Sequence, residues 1–530
     1  MSSPAITHPP IVVRLDSNLT PEVVFRAFSD LPGRLWFDSS SAGRMDRDED
    51  RNDAARRLSR FSFITADPLK TWRFDAQAGN PWISLSECVD RLPQTRDPRL
   101  PPFQGGIAGL FGYESSRWLE PESLAGAGKL QTTDLPTPAI CLGLYDWVIA
   151  FDHRRQATWL VSQGFSQAEI IDGEPLDSSS RVRNAKSRAS QVESKLAGTA
   201  EANNPRWTQS DRWQDSTESN EVHSRNGESD TVGLFPSNPK QLADELGIVS
   251  NFMGSEYRAA VGNIIERIRS GDSFQVNLAQ RLLAPQSIAS DQLYLNLRKE
   301  NPAPFAAFYD GGDFQVLSSS PEGFLQVRNR NVTTRPIKGT VARTGDHDRD
   351  TVLREQLAES EKDHAENVMI VDLMRNDLSR VCFDESVRVT QLCEIERFQY
   401  VQHLVSVVEG RLREGVAAMD LMQACFPGGS VTGAPKIEAM RTIAELESHP
   451  RGPYCGSLGY FSCGGDADFN ILIRTMTSTR GFLQIPVGGG ITSRSEPAAE
   501  ENETWTKAAG MLRALYRAQH QNCRVASAAG

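Results

Sequence analysis

The sequence has few of the features that mark secreted, membrane-spanning or zinc-binding proteins. Its eight cysteines are scattered without a C-x-x-C pair, which predicts reduced thiols in a cytoplasmic protein and argues against a zinc site. The N-terminus carries no charged stretch followed by an apolar one, so we expect no secretory signal. The most apolar stretch, residues 140–151, is short and is interrupted by Asp146, so we expect no membrane span.

Long basic runs are also absent. The 530 residues include 57 Lys and Arg against 68 Asp and Glu, for a formal charge of −11, which argues against nucleic acid as the main partner. A local basic pocket could still bind a small anion. With 39% apolar residues, the chain can bury a sizeable core, divided among about two to four units or contained in one large intertwined domain.

Three parts of the sequence differ in composition. Residues 10–163 alternate apolar and polar positions and are rich in aromatic and β-branched residues, which predicts strands, with a hairpin turn at 152–156. Residues 164–250 are rich in Ser, Asn, Glu and Arg and nearly free of large aliphatic side chains, so we predict a flexible polar linker or insertion. Residues 251–520 alternate helical and strand patterns and contain most of the candidate catalytic residues.

The third part combines long strands with amphipathic helices. It begins with an apolar stripe at helical spacing, which comprises Tyr257, Val261, Ile264, Ile265 and Ile268. One long helix is predicted over 348–376, and a final helix is predicted from about residue 498. Strands joined by short turns, with helices between groups of strands, predict an α+β fold with largely antiparallel sheets.

Two predicted helices each carry a pair of acidic residues three positions apart. Asp363 and Glu366 form one pair, and Glu500 and Glu503 form the other, so each pair lies on one helix face. Most such pairs are solvated surface residues. Carboxylates from two helices also suit Mg²⁺, which prefers a few carboxylates, water and a substrate oxygen. The spacing therefore permits a magnesium site without requiring one.

Lys338 lies in the segment RPIKGT, which follows a predicted strand. An exposed turn lysine is the usual interpretation. A catalytic lysine would need a pKa lowered by burial or by a neighbouring cation, for which Arg335 is a candidate, before it could act as a nucleophile or base. Glu322, at the end of a predicted strand in SSSPEGF, is a candidate acid or base.

Further candidates lie in the C-terminal strands and turns. His403 leads into an apolar strand and could be either a buried core residue or a catalytic group. Arg474, predicted to lie within a strand, is suited to binding a carboxylate. The glycine-rich segment 426–436 precedes a predicted helix and could place backbone amides beside an anion, although it departs from the P-loop pattern.

The order of these segments resembles that of a known enzyme family. The chain is similar to the chorismate-binding enzymes, which include anthranilate, isochorismate, salicylate and aminodeoxychorismate synthases, in the segments FQVNLAQR, SSSPEGF, RPIKGT, AENVMIVDLMRNDLSRV, VQHLVS, FPGGSVTGAPK and FNILIRTM. The resemblance covers residues 252–517, and residues 1–160 are similar to the N-terminal part of the anthranilate and aminodeoxychorismate members. It implies large antiparallel β-sheets packed face to face, with helices outside.

The residue at position 338 discriminates between members of this family. Anthranilate synthases carry alanine in the motif, whereas aminodeoxychorismate synthases carry lysine, as this sequence does. By resemblance, Lys338 attacks carbon 2 of chorismate as the 4-hydroxyl leaves, and ammonia then adds at carbon 4 and expels the lysine. The product would be 4-amino-4-deoxychorismate, a precursor of 4-aminobenzoate and folate.

The resemblance also implies roles for the other candidates. Glu366 and Glu503 match the ligands of Mg²⁺, which would bind the ring carboxylate of chorismate. His403 matches a general acid near the departing hydroxyl, and Glu322 matches an acid or base. The matches to substrate-binding residues are Tyr454 and Arg474 at the enolpyruvyl carboxylate, and Gly339, Thr340, Gly488, Gly489 and Gly490 through their backbones.

Two more expectations follow from the resemblance. The residues near motifs that form a tryptophan pocket in relatives are Ser39, Arg60, Pro304 and Phe305, although the segment LWFDSS departs from the usual pattern. The sequence contains no G-x-C-x-G segment with a downstream His-x-Glu, so we expect ammonia to come from a separate glutamine amidotransferase subunit in a heterodimer.

Two alternatives stay open at this point. The chain could be anthranilate synthase component I or catalyse another reaction of chorismate. It could also be a non-catalytic, tryptophan-binding scaffold. The products formed from chorismate and ammonia distinguish these possibilities.

Overall fold

Two large antiparallel sheets form the centre of the molecule. The computed structural model describes residues 9–16, 18–39, 58–121, 134–202, 238–398 and 401–528. Its strands, in chain order, are β1 (Ile11–Arg14), β2 (Leu35–Asp38), β3 (Phe61–Thr65), β4 (Lys70–Phe74), β5 (Gly106–Phe111), β6 (Ile140–Tyr145), β7 (Trp147–Asp152), β8 (Ala157–Ser162), β9 (Val249–Ser250), β10 (Gln275–Pro285), β11 (Phe305–Asp310), β12 (Phe314–Ser320), β13 (Gly323–Arg328), β14 (Asn331–Thr334), β15 (Ile337–Ala342), β16 (Arg388–Arg397), β17 (Val401–Arg411), β18 (Gly433–Ala434), β19 (Ser457–Ser462), β20 (Ala467–Asn470), β21 (Thr475–Thr479) and β22 (Phe482–Ile491).

The helices lie mostly between groups of strands. In chain order they are α1 (Pro21–Ala27), α2 (Trp82–Asp90), α3 (Gln167–Ile171), α4 (Ser178–Ala202), α5 (Pro239–Glu245), α6 (Gly254–Arg269), α7 (Ser290–Glu300), α8 (His347–Ala358), α9 (Glu361–Ser379), α10 (Ala418–Cys425), α11 (Lys436–Leu446) and α12 (Pro497–Ala528). Short 3₁₀ turns occur at Tyr113–Trp118, Asp384–Ser386 and Gly429–Val431.

Both sheets combine strands from the two ends of the chain. The first sheet has 12 strands in the order β1-β8-β7-β3-β2-β11-β12-β21-β22-β10-β18, with β9 beside β10. The second has 10 strands in the order β15-β17-β14-β13-β20-β19-β5-β6-β4, with β16 beside β17. Every pairing is antiparallel. The N-terminal and C-terminal parts of the sequence are therefore interwoven.

Buried side chains fill the space between the sheets and under the helices. One cluster joins the facing sides of the two sheets, with Phe63 and Val316 from the first sheet and Leu110 and Tyr460 from the second. A second cluster lies between the first sheet and the helices that cover it, and a third lies on the outer side of the second sheet. The predicted α+β fold, with antiparallel sheets face to face and helices outside, is confirmed.

The predicted apolar stripe forms helix α6. Its buried members face the first sheet and α11: Tyr257, Val261, Ile264 and Ile265. The hairpin turn predicted at 152–156 is also present, because it joins β7 and β8. Helical spacing of apolar residues was sufficient to predict α6, since this helix buries one face.

Residues 348–376 do not form the single long helix that was predicted. Helix α8 ends at Ala358 and α9 begins at Glu361. The hydroxyl of Ser360 accepts a hydrogen bond from the Asp363 N–H at 3.3 Å and so caps the second helix. The break thus occurs at a serine cap inside an otherwise helical pattern.

Part of the predicted linker is a packed helix. Helix α4 lies against β8 and β1, and Arg188 on this helix pairs with Asp146 at 3.1 Å. Its buried apolar positions are small or β-branched, Ala185, Ala189 and Val192, and Leu196 packs partly buried against the same cluster. The prediction of a flexible segment is therefore wrong for 178–202, because a few apolar side chains at helical spacing are enough to pack this helix. Residues 203–237 of this segment lie outside the described residues.

The helices and cysteines of the described residues bear on the expectations about membrane spans and thiols. Among the described residues, no helix combines the length and the apolar character needed to cross a membrane. The cysteines with described side chains are free thiols: Cys88, Cys141, Cys382, Cys393, Cys425, Cys455 and Cys463.

Candidate active site

Lys338 lies where the two sheets meet. It belongs to β15 of the second sheet and pairs with Leu404 of β17. Its Nζ is 3.4 Å from the carbonyl oxygen of Ser430, in the glycine-rich segment. The same Nζ is 3.4 Å from the position that a Cβ on Gly490 of β22 would occupy. The amine therefore faces the backbone of the first sheet, and glycine at 490 keeps that space open.

Burial controls the charge of Lys338. Loss of solvation lowers the pKa of its amine, and the nearby cation Lys507 adds to this effect, while carboxylates around the amine partly offset it. Arg335, the predicted cationic neighbour, forms an ion pair with Glu396 instead. The positive group that assists deprotonation is therefore Lys507 on α12, which the sequence prediction overlooked.

Glu322 is anchored directly beside Lys338. It follows β12 and is 5% exposed. Burial raises the pKa of its carboxyl group to about 7, although hydrogen bonds from the Ser430 hydroxyl and the Ile337 N–H and the charge of Lys338 favour the ionised form. Lowering of the lysine pKa and raising of the carboxyl pKa both favour a neutral pair. Such a pair can supply a nucleophilic amine and a proton in the same place.

His403 lies on β17, next to the strand that carries Lys338. Its Nδ1 is 2.8 Å from the Thr340 hydroxyl, and its ring is 5% exposed. Burial, together with the charge of Arg474, lowers the pKa of His403 to about 3. The imidazole is therefore neutral at physiological pH, which weakens the predicted general-acid role. A neutral ring held by Thr340 can still position a substrate through a hydrogen bond.

Arg474 lies between strands and not within one, as had been predicted. Strand β20 ends at Asn470 and β21 begins at Thr475, and Arg474 has a left-handed φ of +51°. Burial lowers the pKa of its guanidinium group, an effect that the nearby acidic groups of Tyr454 and Glu503 oppose. This interaction shows that the two predicted carboxylate-binding residues, Arg474 and Tyr454, are neighbours.

The predicted metal ligands lie around two lysines. Lys362 Nζ is 3.3 Å from Glu500 and 3.9 Å from Glu366, while Lys507 Nζ is 2.7 Å from Glu503. Burial raises the pKa of Glu366. Burial acts in the same direction on Glu503, but Lys507 more than offsets it, so the Glu503 pKa is lowered.

These carboxylates fit a cation that would also bind substrate. In the described part of the chain, no three acidic or metal-binding side chains are close enough to hold an ion by themselves. Mg²⁺ commonly takes only one or two carboxylates and completes its shell with water and substrate oxygens. Glu366 Oε1 is buried without a hydrogen-bond partner, so it has free capacity for such an ion. Asp363, in contrast, is used by the Ser360 cap of α9.

Glycines line the space between these groups. A Cβ on Gly489 would lie within 3.7 Å of Glu500, Glu503 and Lys507, so the β22 backbone runs beside the carboxylates. Gly339 has φ of +74°, and a Cβ there would lie 2.7 Å from Leu357 Cδ1. Glycine at 489 lets a ligand approach the backbone closely, whereas glycine at 339 makes room for the side chains of Leu357 and Asp363.

The comparison with known proteins agrees with this arrangement. The profile of the chorismate binding enzyme family matches residues 49–513. The chain belongs to this family.

Individual relatives support the assignment over most of the chain. Aminodeoxychorismate synthase component 1 of Salmonella typhimurium is 36% identical, covering 87% of this chain and 91% of the relative. Anthranilate synthase component 1 of Thermus thermophilus is 33% identical and covers 87% and 90%, respectively. The crystal structure of anthranilate synthase component I from Streptococcus pneumoniae is 30% identical, with a TM-score of 0.66, and covers 86% and 92%. Relatives with different reactions are thus similar to nearly the same extent.

A separate cavity lies away from Lys338. It has a volume of about 990 Å³ and is lined by all four residues predicted for a tryptophan pocket: Ser39, Arg60, Pro304 and Phe305. The guanidinium of Arg60 is paired with Asp152, at 2.8 Å. The structure brings these four residues together, and what binds there stays a prediction.

The family motifs also contain site residues that the sequence prediction overlooked. Gln275, in the segment FQVNLAQR, is completely buried beside Gly490. Neither polar atom of its side chain has a hydrogen-bond partner among the described residues, so the amide is free to contact a ligand. The other overlooked residues are Lys362, Ser430 and Lys507. The lysines were detectable, since each lies four positions from a predicted ligand on the same helix.

Proposed function

We propose that this chorismate binding enzyme aminates carbon 4 of chorismate to give 4-amino-4-deoxychorismate. Support comes from Lys338, a half-buried amine with a lowered pKa that faces the glycine backbone of β22 beside a protonatable carboxyl group. Relatives named aminodeoxychorismate synthase component 1 are consistent with this choice. The component 1 name also fits a separate second subunit that releases ammonia from glutamine.

The first step forms a covalent adduct. The neutral amine of Lys338 attacks carbon 2, the ring double bonds shift, and the bond between carbon 4 and its hydroxyl breaks. Protonated Glu322 donates a proton to the departing oxygen, which leaves as water. Glu322 is the better acid here, because its pKa of about 7 keeps a large protonated fraction at neutral pH, whereas that of His403 is about 3.

The second step releases the enzyme. Ammonia forms a bond to carbon 4, the double bonds return, and the bond between carbon 2 and Lys338 breaks. The new ammonium group gives one proton to the Glu322 carboxylate, so both Glu322 and Lys338 return to their starting states. The sum is chorismate and ammonia converted to aminodeoxychorismate and water.

The remaining residues bind and orient the substrate. Mg²⁺ would be held by one or two of the carboxylates of Glu366, Glu500 and Glu503 together with water and substrate oxygens, and it would supply positive charge for the ring carboxylate. Arg474 and Tyr454 are suited to the enolpyruvyl carboxylate, since a guanidinium group makes strong hydrogen bonds to a carboxylate. His403, held by Thr340, would accept or donate one hydrogen bond near carbon 4.

Product analysis tests the reaction. The purified chain, with Mg²⁺, chorismate and ammonium at high pH, should form aminodeoxychorismate, and glutamine should not replace ammonium unless the partner subunit is added. Anthranilate with pyruvate as the main product would assign the chain to the other reaction. No turnover of chorismate would leave a binding function as the better explanation.

A variant tests the covalent step. Lys338→Ala should lose amination at carbon 4, while Lys186→Ala, an exposed change on α4, should have no effect. Mass spectrometry of the wild-type enzyme with chorismate and no ammonia should find an adduct on the peptide that contains Lys338. Amination by Lys338→Ala at the wild-type rate would refute the mechanism.

A further inference from the structure

The amine of Lys362 lies between two buried carboxylates of the proposed metal site. Its Nζ is 3.3 Å from Glu500 Oε1 and 3.9 Å from Glu366 Oε1. The two acids come from different helices, α12 and α9, so this lysine connects the two sides of the site. Glu500 is fixed in place by the Ser495 hydroxyl, which donates a hydrogen bond to the same Oε1 at 2.6 Å.

Exposure differs strongly across this cluster. The Lys362 side chain is 40% exposed, whereas those of Glu366 and Glu500 are 11% and 5% exposed. A long, flexible lysine chain at the edge of the site can move its ammonium group into water without disturbing the fold. The two carboxylates cannot follow it, because they are held by the packing of two long helices.

We infer that Lys362 is an internal competitor of the divalent cation: its ammonium group neutralises Glu366 and Glu500 in the metal-free protein and swings into solvent when the cation binds. This inference rests on the proposed function, which supplies the cation. The ammonium group and a divalent ion would use the same two oxygens. Since two cations cannot share these oxygens at contact distance without strong repulsion, occupation by one excludes the other.

The second lysine of the site does not behave in the same way. Lys507 Nζ donates a hydrogen bond to the Gly488 carbonyl at 2.8 Å as well as pairing with Glu503. Its side chain is only 26% exposed. These contacts keep it beside the β22 backbone, where it acts on Lys338, so only Lys362 is placed to leave.

Competition of this kind has two measurable consequences with opposite signs. Without Lys362, the metal-free protein loses the ammonium group that faces Glu500 and one of the two that face Glu366, the other being Lys338, so it should unfold at a lower temperature. The divalent ion then has no lysine to displace, so it should bind more tightly. If Lys362 acted only by repelling the ion at long range, its removal would tighten ion binding without lowering the unfolding temperature.

The test compares Mn²⁺ binding and thermal unfolding in the full chain, stripped with EDTA and without chorismate. Electron paramagnetic resonance of free Mn²⁺ gives the affinity for wild type, Lys362→Met and Lys362→Gln. The matched control is Arg494→Gln, which removes a positive charge at an exposed position that pairs with the exposed Glu361, 3.6 Å away. Circular dichroism establishes that each variant is folded.

The expected result is a Mn²⁺ dissociation constant lower by a factor on the order of ten in both Lys362 variants. Both should also unfold at a lower temperature than wild type in EDTA. Added Mn²⁺ should raise their unfolding temperature by more than it raises that of wild type. Arg494→Gln should behave like wild type. Equal affinity in all four proteins would overturn the inference and leave the proposed cation site intact. Absence of Mn²⁺ binding in every protein would overturn it as well, and the product assay would then decide the proposed function separately.

Discussion

In the absence of ammonia, formation of the Lys338 adduct should depend on Glu322, whose carboxyl group titrates at about pH 7. The reacting state needs neutral Lys338 and protonated Glu322. Burial lowers the pKa of Lys338, and the neutral fraction of this amine enters the rates of wild type and Glu322→Gln alike, so it cancels in their ratio. Above pH 7 the protonated fraction of Glu322 falls about tenfold for each pH unit. The ratio of the wild-type single-turnover rate to that of Glu322→Gln should therefore be constant below a break near pH 7 and fall about tenfold per pH unit above it.

Two variants separate the contributions to this profile. Glu322→Gln should react more slowly, and its rate should not decline above pH 7, because no acid remains to lose a proton. Ser430→Ala removes a hydrogen bond that stabilises the carboxylate form. It should raise the Glu322 pKa and shift the break in the profile upward by about one pH unit, from the usual strength of hydrogen bonds to charged groups.

The assay is rapid quenching followed by intact-protein mass spectrometry, at saturating chorismate and Mg²⁺. Ser379→Ala, at the exposed end of α9, is the matched control and should keep the wild-type profile. A ratio of the wild-type rate to the Glu322→Gln rate that stays constant as the pH rises through 7 would refute the assignment of Glu322 as the acid. So would a Glu322→Gln enzyme that keeps the break near pH 7.

Three further predictions concern the surroundings of the site. Glu366→Gln and Glu503→Gln should each lower kcat/KM by a factor on the order of a hundred, with unchanged circular dichroism. Activity retained in EDTA-stripped enzyme would contradict the proposed requirement for a divalent cation. Gly339→Ala should lower the unfolding temperature, because its φ of +74° costs about 1–2 kcal/mol with a side chain; equal unfolding curves would contradict this. Asn367→Ala removes a buried amide that is hydrogen-bonded to Ser406 and to the Leu404 carbonyl. It should lower the free energy of unfolding, measured in urea, by about 1–3 kcal/mol, whereas the exposed control Asn376→Ala should leave it unchanged.

Local patterns in the sequence were enough for many elements of the fold. The stripe from Tyr257 to Ile265 predicted α6, since a helix with one apolar face must bury that face. The same reasoning failed at Ser360, whose hydroxyl accepts a hydrogen bond from the Asp363 N–H, so that one helix ends and another begins there. It also failed for α4, because average composition does not reveal that a few alanines share one face.

For the site, the sequence by itself determined which chemical groups are available, and the motif order determined the family. Glu322, Lys338 and the acidic pairs could all be named from the sequence, because their residue types and spacing suit acid–base chemistry, nucleophilic attack and cation binding. Their charge states could not be named. A pKa depends on burial and on neighbours that are distant in the chain, and those are properties of the folded molecule.

Only the tertiary structure decided which groups act together. It places Glu322 beside Lys338 through Ser430, which is 92 residues away from the lysine, and it supplies Lys507 from the last helix in place of Arg335. It also makes His403 neutral and sets Lys362 between two acids. The physical reason is the topology: β10, β15, β17, β22 and two helices converge from distant parts of the chain. The electrostatics of the site therefore arise from contacts that no local pattern contains.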